Sequence, residues 1–393
     1  MITLATASQH AAAWSAWLLL TPLATLFLYQ AGRAFWGLRV PAPCHGDETI
    51  RFAVLIPAHN EEAVIHHLLA SMRAVDYPKD CLHVVFVADH CTDTTVGRIR
   101  AAGFFCLDRQ DGERGKTPSL AHGLDWLRNQ AGMDFDAVAF FDADNFVQPQ
   151  FFHQASCQLS AGAAVVQGHV GVSNWNDSLF ARLNYMNSVV ENRLEELARS
   201  QAGLSCHLRG HGMVFRKAVL EQLPWHAATL VEDQEMLVQL VLAGYRVVWA
   251  EHARVDSILP VSTKEAATQR RRWAGGRSAI LGSSIRALWR RWRLTGDPVA
   301  LHLMFDFLLP SHAVQLSLVF LTVLIAAVAV PLTPGPLTAA ILLLFLYFGY
   351  FLLGNRLSGV PWRTFLSFLL APGYILWRTW IYLTSLKGVA RWR

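Results

Sequence analysis

Charge is scarce in this 393-residue chain: Asp, Glu, Lys and Arg make up 16% of it, against 53% hydrophobic residues. Soluble domains usually carry about 25% charged residues, so a wholly water-exposed protein is disfavoured and membrane segments are expected. The six cysteines (Cys44, Cys81, Cys91, Cys106, Cys157 and Cys206) form no C-x-x-C pair and no regular spacing. That argues against a zinc site or a disulfide framework and leaves reduced cytoplasmic thiols as the expectation. No internal repeat or low-complexity tract occurs, and no glycine spacing makes a Walker loop. No Lys or Arg cluster precedes the first apolar run and no small-x-small cleavage site follows it, so an anchor is favoured over a signal peptide.

The apolar runs come first among what is present. Residues 11–29 are almost uncharged and about long enough to cross a bilayer. Arg33, Arg39 and Arg51 follow, which predicts that the next domain faces the cytoplasm. Two further spans are expected at residues 313–330 and 337–353, joined by a proline-rich turn at 331–336. Pro372-Gly373 interrupts the last apolar stretch, 365–383, and Arg378 lies within it. A third C-terminal span would send Lys387, Arg391 and Arg393 outward, so an interfacial or re-entrant helix is expected there. The net charge of +5 is concentrated at Arg270–Arg272, Arg286–Arg293 and the C-terminus, beside apolar segments. Together with the many tryptophans this fits a lipid boundary and speaks against nucleic acid as a partner.

Between Arg51 and about Ala253 short strands alternate with amphipathic helices. Strands are predicted at 52–57, 84–88 and 137–141, and helices at 61–75, 92–102 and 116–128. This order implies an α/β fold with a mostly parallel sheet, whose ligands bind beyond the carboxyl ends of the strands. The polar motifs fall there: His59-Asn60-Glu61, then Asp89, then Asp142-Ala143-Asp144. Two carboxylates at i and i+2 after a buried strand offer oxygen ligands to Mg²⁺ or Mn²⁺, although the same pattern also caps helices. Asp89 is placed to accept hydrogen bonds from a nucleotide base, with Thr92 or Asp93 capping the next helix. Gly115-Lys116 at a helix start offers backbone donors and a cation to a pyrophosphate. Val231-Glu232-Asp233 is an acidic cluster entering a helix, and His252 is a weaker candidate for a third metal ligand.

The ordered set Ile56-Pro57-Ala58-His59-Asn60-Glu61, Ala88-Asp89, Gly115-Lys116, Asp142-Ala143-Asp144, Glu232-Asp233 and Gln269-Arg270-Arg271-Arg272-Trp273 resembles the membrane-bound branch of family 2 glycosyltransferases. That branch includes the cellulose, hyaluronan and chitin synthases, and the likeness runs from about residue 52 to 277. The resemblance implies a GT-A (Rossmann-like) nucleotide-diphospho-sugar transferase fold and inversion by single displacement. It implies a donor site at Pro57, Ala58, Glu61, Asp89, Lys116 and Asp142, and a Mg²⁺ or Mn²⁺ ion on Asp144 and Asp142. It implies Asp233 as general base, and Gln269, Arg272, Trp273, His211 and Glu232 on the acceptor side. The sequence departs from the family at Ala88 and Val231, and it lacks a gating motif of the Phe-x-Val-Thr-x-Lys kind.

The expected organisation is an anchor at 1–40, a catalytic domain at 41–277, an amphipathic interfacial region at 278–312 and membrane or interfacial helices at 313–393. The expected protein is a multi-pass enzyme of the inner (plasma) membrane with a cytoplasmic catalytic domain. It would take a UDP-sugar donor and a growing polysaccharide or lipid-linked glycan as acceptor, with an export partner or self-association left open. A one-step glycolipid transferase shares these motifs. A non-catalytic transporter or scaffold would be expected to have lost carboxylates that are present here.

Overall fold

The structure, a computed structural model, describes residues 4–44, 48–130, 134–225, 231–259 and 263–385, without the side chains of 4, 5, 265, 272, 273 and 277–279. In chain order the elements are α1 (Leu4–Ala34), β1 (Phe52–Ala58), α2 (Ile65–Arg73), β2 (Leu82–Asp89), α3 (Thr95–Ala101) and β3 (Phe105–Arg109). Next come α4 (Lys116–Asn129), β4 (Ala137–Phe140), β5 (Phe146–Val147), α5 (Phe151–Ser160), β6 (Val165–Val172) and α6 (Leu179–Val190). A π-helical turn, Glu191–Glu196, runs from α6 without a break into α7 (Leu197–Gln201). The catalytic half closes with β7 (Met213–Arg216), α8 (Lys217–Gln222), α9 (Glu232–Leu242) and β8 (Val247–Ser257). The helices α10 (Thr263–Thr295), α11 (Pro298–Leu308), α12 (His312–Ala329) and α13 (Gly335–Leu357) follow; a 3₁₀ segment, Trp362–Leu370, then leads into α14 (Ala371–Ser385).

The strands form one eight-stranded sheet in the order β3-β2-β1-β4-β7-β6-β8-β5. Six strands share one direction; β7 and β5 run against their neighbours. The mostly parallel expectation therefore holds. Strands β1 and β4 are almost wholly apolar and buried because both of their faces are covered. Alternation along β1 sends Ala53 and Leu55 to a core under α4 and α9, and Phe52, Val54 and Ile56 to a second core under α2 and α5. This two-sided burial is the main energetic reason for the layered arrangement.

Three described helical stretches are long and apolar enough to cross a membrane: Thr6–Leu38, His312–Ala329 and Gly335–Leu357. They meet in their own cluster, in which Leu23, Phe27, Val319, Leu343 and Tyr347 pack together. That cluster also takes in Val190 and Leu194, so the spanning bundle rests on the π turn of the catalytic half. The 3₁₀ segment and α14 leave Leu366, Leu369, Leu376 and Trp380 exposed, and among the described residues they are not counted with these spans. Lys387, Arg391 and Arg393 lie outside the described residues.

One expectation fails. Cys44 and Cys157, 113 residues apart, are joined by a disulfide that fixes the segment after α1 to α5. Sequence spacing carries no signal for a pair that only the tertiary fold brings together. Cys81, Cys91, Cys106 and Cys206 are free thiols.

Candidate active site

The register places the functional loops along one sheet edge. Ala58 pairs with Ala88, Asp89 with Arg109, and Leu55 with Phe140, so β1, β2, β3 and β4 end side by side. Strand β7 is antiparallel to β4 and starts opposite Phe140, which returns the loop before it, residues 209–212, to the same edge. Gly212 N–H donates to the Phe140 carbonyl (2.7 Å) and clamps that loop against Asp142.

Asp89 is buried and heavily engaged. Its carboxylate accepts from the Gly115 backbone (2.8 Å) and the His90 ring (2.9 Å) and pairs with the Arg109 guanidinium. Burial works against ionisation, but these three donors hold the carboxyl below its usual range. A carboxylate has about four lone-pair positions, and these three donors take three of them. Asp89 therefore also shapes the Gly115 turn, whose φ of +137° suits glycine. Pro57 and Ala58 complete this side at the end of β1, with Ala58 buried. Asp93 Oδ1 accepts from the Thr95 backbone (3.0 Å) at the start of α3. This answers which of Thr92 and Asp93 serves that helix.

Lys116, the first residue of α4, stands between the donor motif and the acidic helix. Its Nζ lies 2.6 Å from Asp142 and 3.6 Å from Glu232, and it donates to the Gly210 carbonyl (2.9 Å). Burial disfavours its charge, but Asp142 and Glu232 outweigh burial and raise its pKa. The ammonium is therefore permanent. His211 Nδ1 sits 3.3 Å from Asp142, and burial depresses its pKa to about 4, which makes the imidazole neutral at pH 7.

Asp144 and Glu61 behave oppositely to Asp89. Burial and then Asp142 push Asp144 up to about 6. Burial, then Asp144 and Asp142, push Glu61 up to about 7. Glu61 thus belongs electrostatically with the Asp-Ala-Asp carboxylates as well as with the nucleotide side. Asn145, fully buried, accepts from the Asp142 backbone (3.0 Å) and donates to Asp144 Oδ1 (3.0 Å). It aims the pair, a role that a single amide in the sequence does not announce. Among the described residues no group of three or more His, Cys, Asp or Glu side chains stands close enough together to hold a metal ion. Asp142 and Asp144 offer a partial set of carboxylate oxygens of the kind a hard divalent cation takes, with Glu61 coupled to them electrostatically. Such an open site would draw its remaining ligands from phosphate and water.

Asp233 lies in the first turn of α9. Burial, and next Glu232, push its pKa up to about 7. The Gly210 backbone passes directly over it: a Cβ there would fall 3.4 Å from Lys116 Nζ, 3.8 Å from Asp233 Oδ2 and 3.9 Å from Glu232 Oε1. Gly210, with φ of +80°, lets the loop come this close. Gln269 is half-buried on α10, while the side chains of Arg272 and Trp273 lie outside those described. Arg270 turns to the C-terminal helices, donating to Asn184 Oδ1 (2.7 Å) and Tyr374 Oη (3.3 Å). His252 does not join the site; its Nε2 contacts the Pro41 carbonyl at 2.9 Å. It sits within the β6/β8 irregularity, where residues 251–253 have no partner on β6, and this turns it towards Pro41.

A buried ion network, not foreseen, backs the acceptor side. Arg199 pairs with Glu195 (3.2 Å), Glu196 (3.0 Å) and Asp306 of α11 (2.8 Å). Arg33 of α1 reaches Asp306 (3.4 Å), and His312 of α12 reaches Glu195 (3.1 Å). On the other side Arg209 pairs with Glu196 (3.0 Å), one residue before Gly210. The π turn widens the helix and brings these acidic side chains to one junction.

A family model described as "Glycosyltransferase like family 2" matches residues 50–276. Among curated proteins, "Glucomannan 4-beta-mannosyltransferase 7" of Arabidopsis thaliana is 26% identical over 260 residues, 61% of this chain and 46% of that protein. "Probable glycosyltransferase YdaM" of Bacillus subtilis is 26% identical over 246 residues, 60% of this chain and 57% of that protein. The chain thus spans about half the length of the curated relatives it matches. A solved mannosyltransferase from Pyrobaculum calidifontis, in complex with GDP-Man and Mn²⁺, superposes with a TM-score of 0.61 at 19% identity. The match covers 95% of this chain and 99% of that one, and it establishes likeness of fold.

Proposed function

This chain belongs to glycosyltransferase-like family 2, and on that premise we propose that it moves a sugar, with inversion, from a nucleoside-diphosphate donor to a glycan or lipid-linked acceptor at the cytoplasmic face of a membrane. The observation that carries this reading is the Lys116 bridge, which ties the donor carboxylate Asp142 to the Glu232-Asp233 pair across one short loop.

Pro57, Ala58 and Asp89 would seat the base, and Lys116 would meet the diphosphate with a charge that does not titrate away. Asp142 and Asp144, with Glu61 beside them, would hold Mg²⁺ or Mn²⁺. When bound, the ion supplies Lewis-acid stabilisation of the departing diphosphate. Asp233 takes the proton from the acceptor hydroxyl as that oxygen attacks the anomeric carbon. A pKa near 7 suits this task, since half or more of the groups are then free to accept a proton at neutral pH. His211, whose imidazole is neutral, and the Glu232 side chain would flank the acceptor, and Gln269, Arg272 and Trp273 would close over it from α10.

The names of the relatives and the fold neighbour add GDP-mannose to the UDP-sugars as a donor to be tried first. The test is nucleoside-diphosphate release by the purified full chain with a panel of GDP- and UDP-sugars and Mn²⁺. One donor in the panel is expected to be turned over and the Asp144→Ala variant to be silent. Nucleotide binding without release, for every donor, would leave a non-catalytic scaffold as the better account.

A further inference from the structure

A cavity of about 370 Å³ lies between α6, α12, α13, the 3₁₀ segment and α14, outside the site described above. Leu316, Phe320, Leu344 and Phe348 give it apolar walls, and Phe345 and Phe348 are exposed towards the surround of the bundle. Its lining on α12 runs from His312 to Phe320, about 12 Å at the α-helical rise. A sugar polymer does not suit these walls, because its hydroxyls would be buried without partners. A hydrocarbon chain does.

The polar lining, Asn187, His312, Tyr374 and Arg378, leads elsewhere. Asn187 donates to Glu191 Oε1 (2.7 Å), and Glu191 Oε2 lies 3.7 Å from Arg209 Nη1. Arg209 directly precedes the Gly210 backbone that passes over Asp233. Arg378 lies over the Tyr374 ring (5.7 Å), and Arg270 donates to the same tyrosine's hydroxyl (3.3 Å). Burial first, and then the nearby Arg378, lower the Arg270 pKa to about 10, so its guanidinium is poorly solvated and has a second cation close by. An anion placed between them offsets both charges.

We propose that this cavity seats the hydrocarbon chain of a lipid-linked acceptor, with its phosphate on Arg378 and Arg270 and its sugar end directed past Glu191 and Arg209 to Asp233. The proposal rests on the glycosyltransferase reading and narrows its acceptor to an anionic lipid. Ionisable side chains within an apolar helical assembly commonly mark such substrate routes.

The binding test uses hexadecyl phosphate with a diazirine in its chain, photoactivated on the full chain in neutral detergent. Labelling is expected on the α12 and α13 peptides that line the cavity, about five-fold above the matching hexadecanol probe. Arg378→Gln is expected to remove that preference, and Leu316→Trp or Ala371→Trp, which fill the cavity from opposite walls, to remove the label. In membranes supplied with radiolabelled donor, the filling variants are expected to lower organic-extractable product about ten-fold. Acceptor-independent nucleotide release should meanwhile stay within about two-fold, which shows that the variants fold. Label spread evenly over the lipid-facing helices, equal labelling by the alcohol, or undiminished extractable product would each overturn the proposal. Absence of nucleotide release with cavity labelling intact would instead remove the transferase reading and leave a lipid site.

Discussion

Replacing Asp233 with asparagine should inactivate the protein and stabilise it at the same time. The carboxyl titrates near pH 7 because it is buried beside Glu232, whereas in the unfolded chain it would titrate near 4. A raised folded pKa means that the folded state binds the proton more tightly. Stability therefore falls as pH rises from about 4 to about 7, and the full penalty persists above that window. Three pH units correspond to about 4 kcal/mol, an upper bound because Lys116 and local relaxation share the charge. Asparagine keeps the shape and can still accept from the Gln234 backbone, which donates to Asp233 Oδ1 at 2.8 Å, but it carries no charge. In detergent at pH 8 the variant is expected to melt a few degrees above wild type, with the two curves converging near pH 4. Its turnover should drop by ~10²–10⁴ with donor binding nearly unchanged. Wild-type kcat should rise with pH to about 7 and then level off, since the base works deprotonated. Thermal melts and nucleotide release across pH 5–9 check every part. Turnover above about a tenth of wild type, or a lower melting temperature at pH 8, would refute the assignment of Asp233 as a buried base.

Chelation with EDTA should silence nucleotide release and added Mn²⁺ or Mg²⁺ should restore it, while Asp144→Ala lowers it by ~10²-fold or more at saturating metal. Gly276→Ala places a Cβ 2.6 Å from Val231 Cγ1, two residues before Asp233, and should cut kcat by ~10–10²-fold with KM for donor unchanged. Val231→Ala in the same chain should restore most of the loss, a rescue read directly from steady-state kinetics. Arg199→Ala removes the cation that Glu195, Glu196 and Asp306 share, leaving them to Arg33, Arg209 and His312, and should destabilise by about 3–5 kcal/mol, seen as a depressed melting temperature.

The donor half was legible in the sequence for a definite reason. Strands β1, β2 and β4 are covered on both faces, so they read as short uninterrupted apolar runs, and the polar residues just beyond them had to share one edge. The spanning helices were equally plain: the stretches expected at 313–330 and 337–353 correspond to helices His312–Ala329 and Gly335–Leu357. Strand β7, Met213–Arg216, was not among the predicted strands: it follows a glycine-flanked loop and ends on Arg216, so no apolar run stands out. The grouping of Glu61 with Asp144 is set by where the turn after β1 folds back, held by the Glu61 N–H donation to Thr95 Oγ1 (2.8 Å). Glu191, Glu195, Glu196 and Arg199 form no motif in the sequence. Only their packing against α1, α11 and α12 turns them into a buried network. Cys44 and Cys157 meet for the same kind of reason, through tertiary contacts that no spacing encodes.

The length of α10 has a mechanical consequence. Its 33 residues span about 50 Å without interruption. Near one end it carries Gln269 and presses Gly276 against Val231, two residues before Asp233; towards the other it buries Leu288 in the core shared with α11. A stiff strut of this kind cannot yield at one end alone. A tilt of α10 near Gln269 would have to be matched by movement where α11 carries Asp306, and there the ion pairs to Arg33 and Arg199 resist it. The two ends of α10 are in this sense one lever, with the ion pairs as its spring.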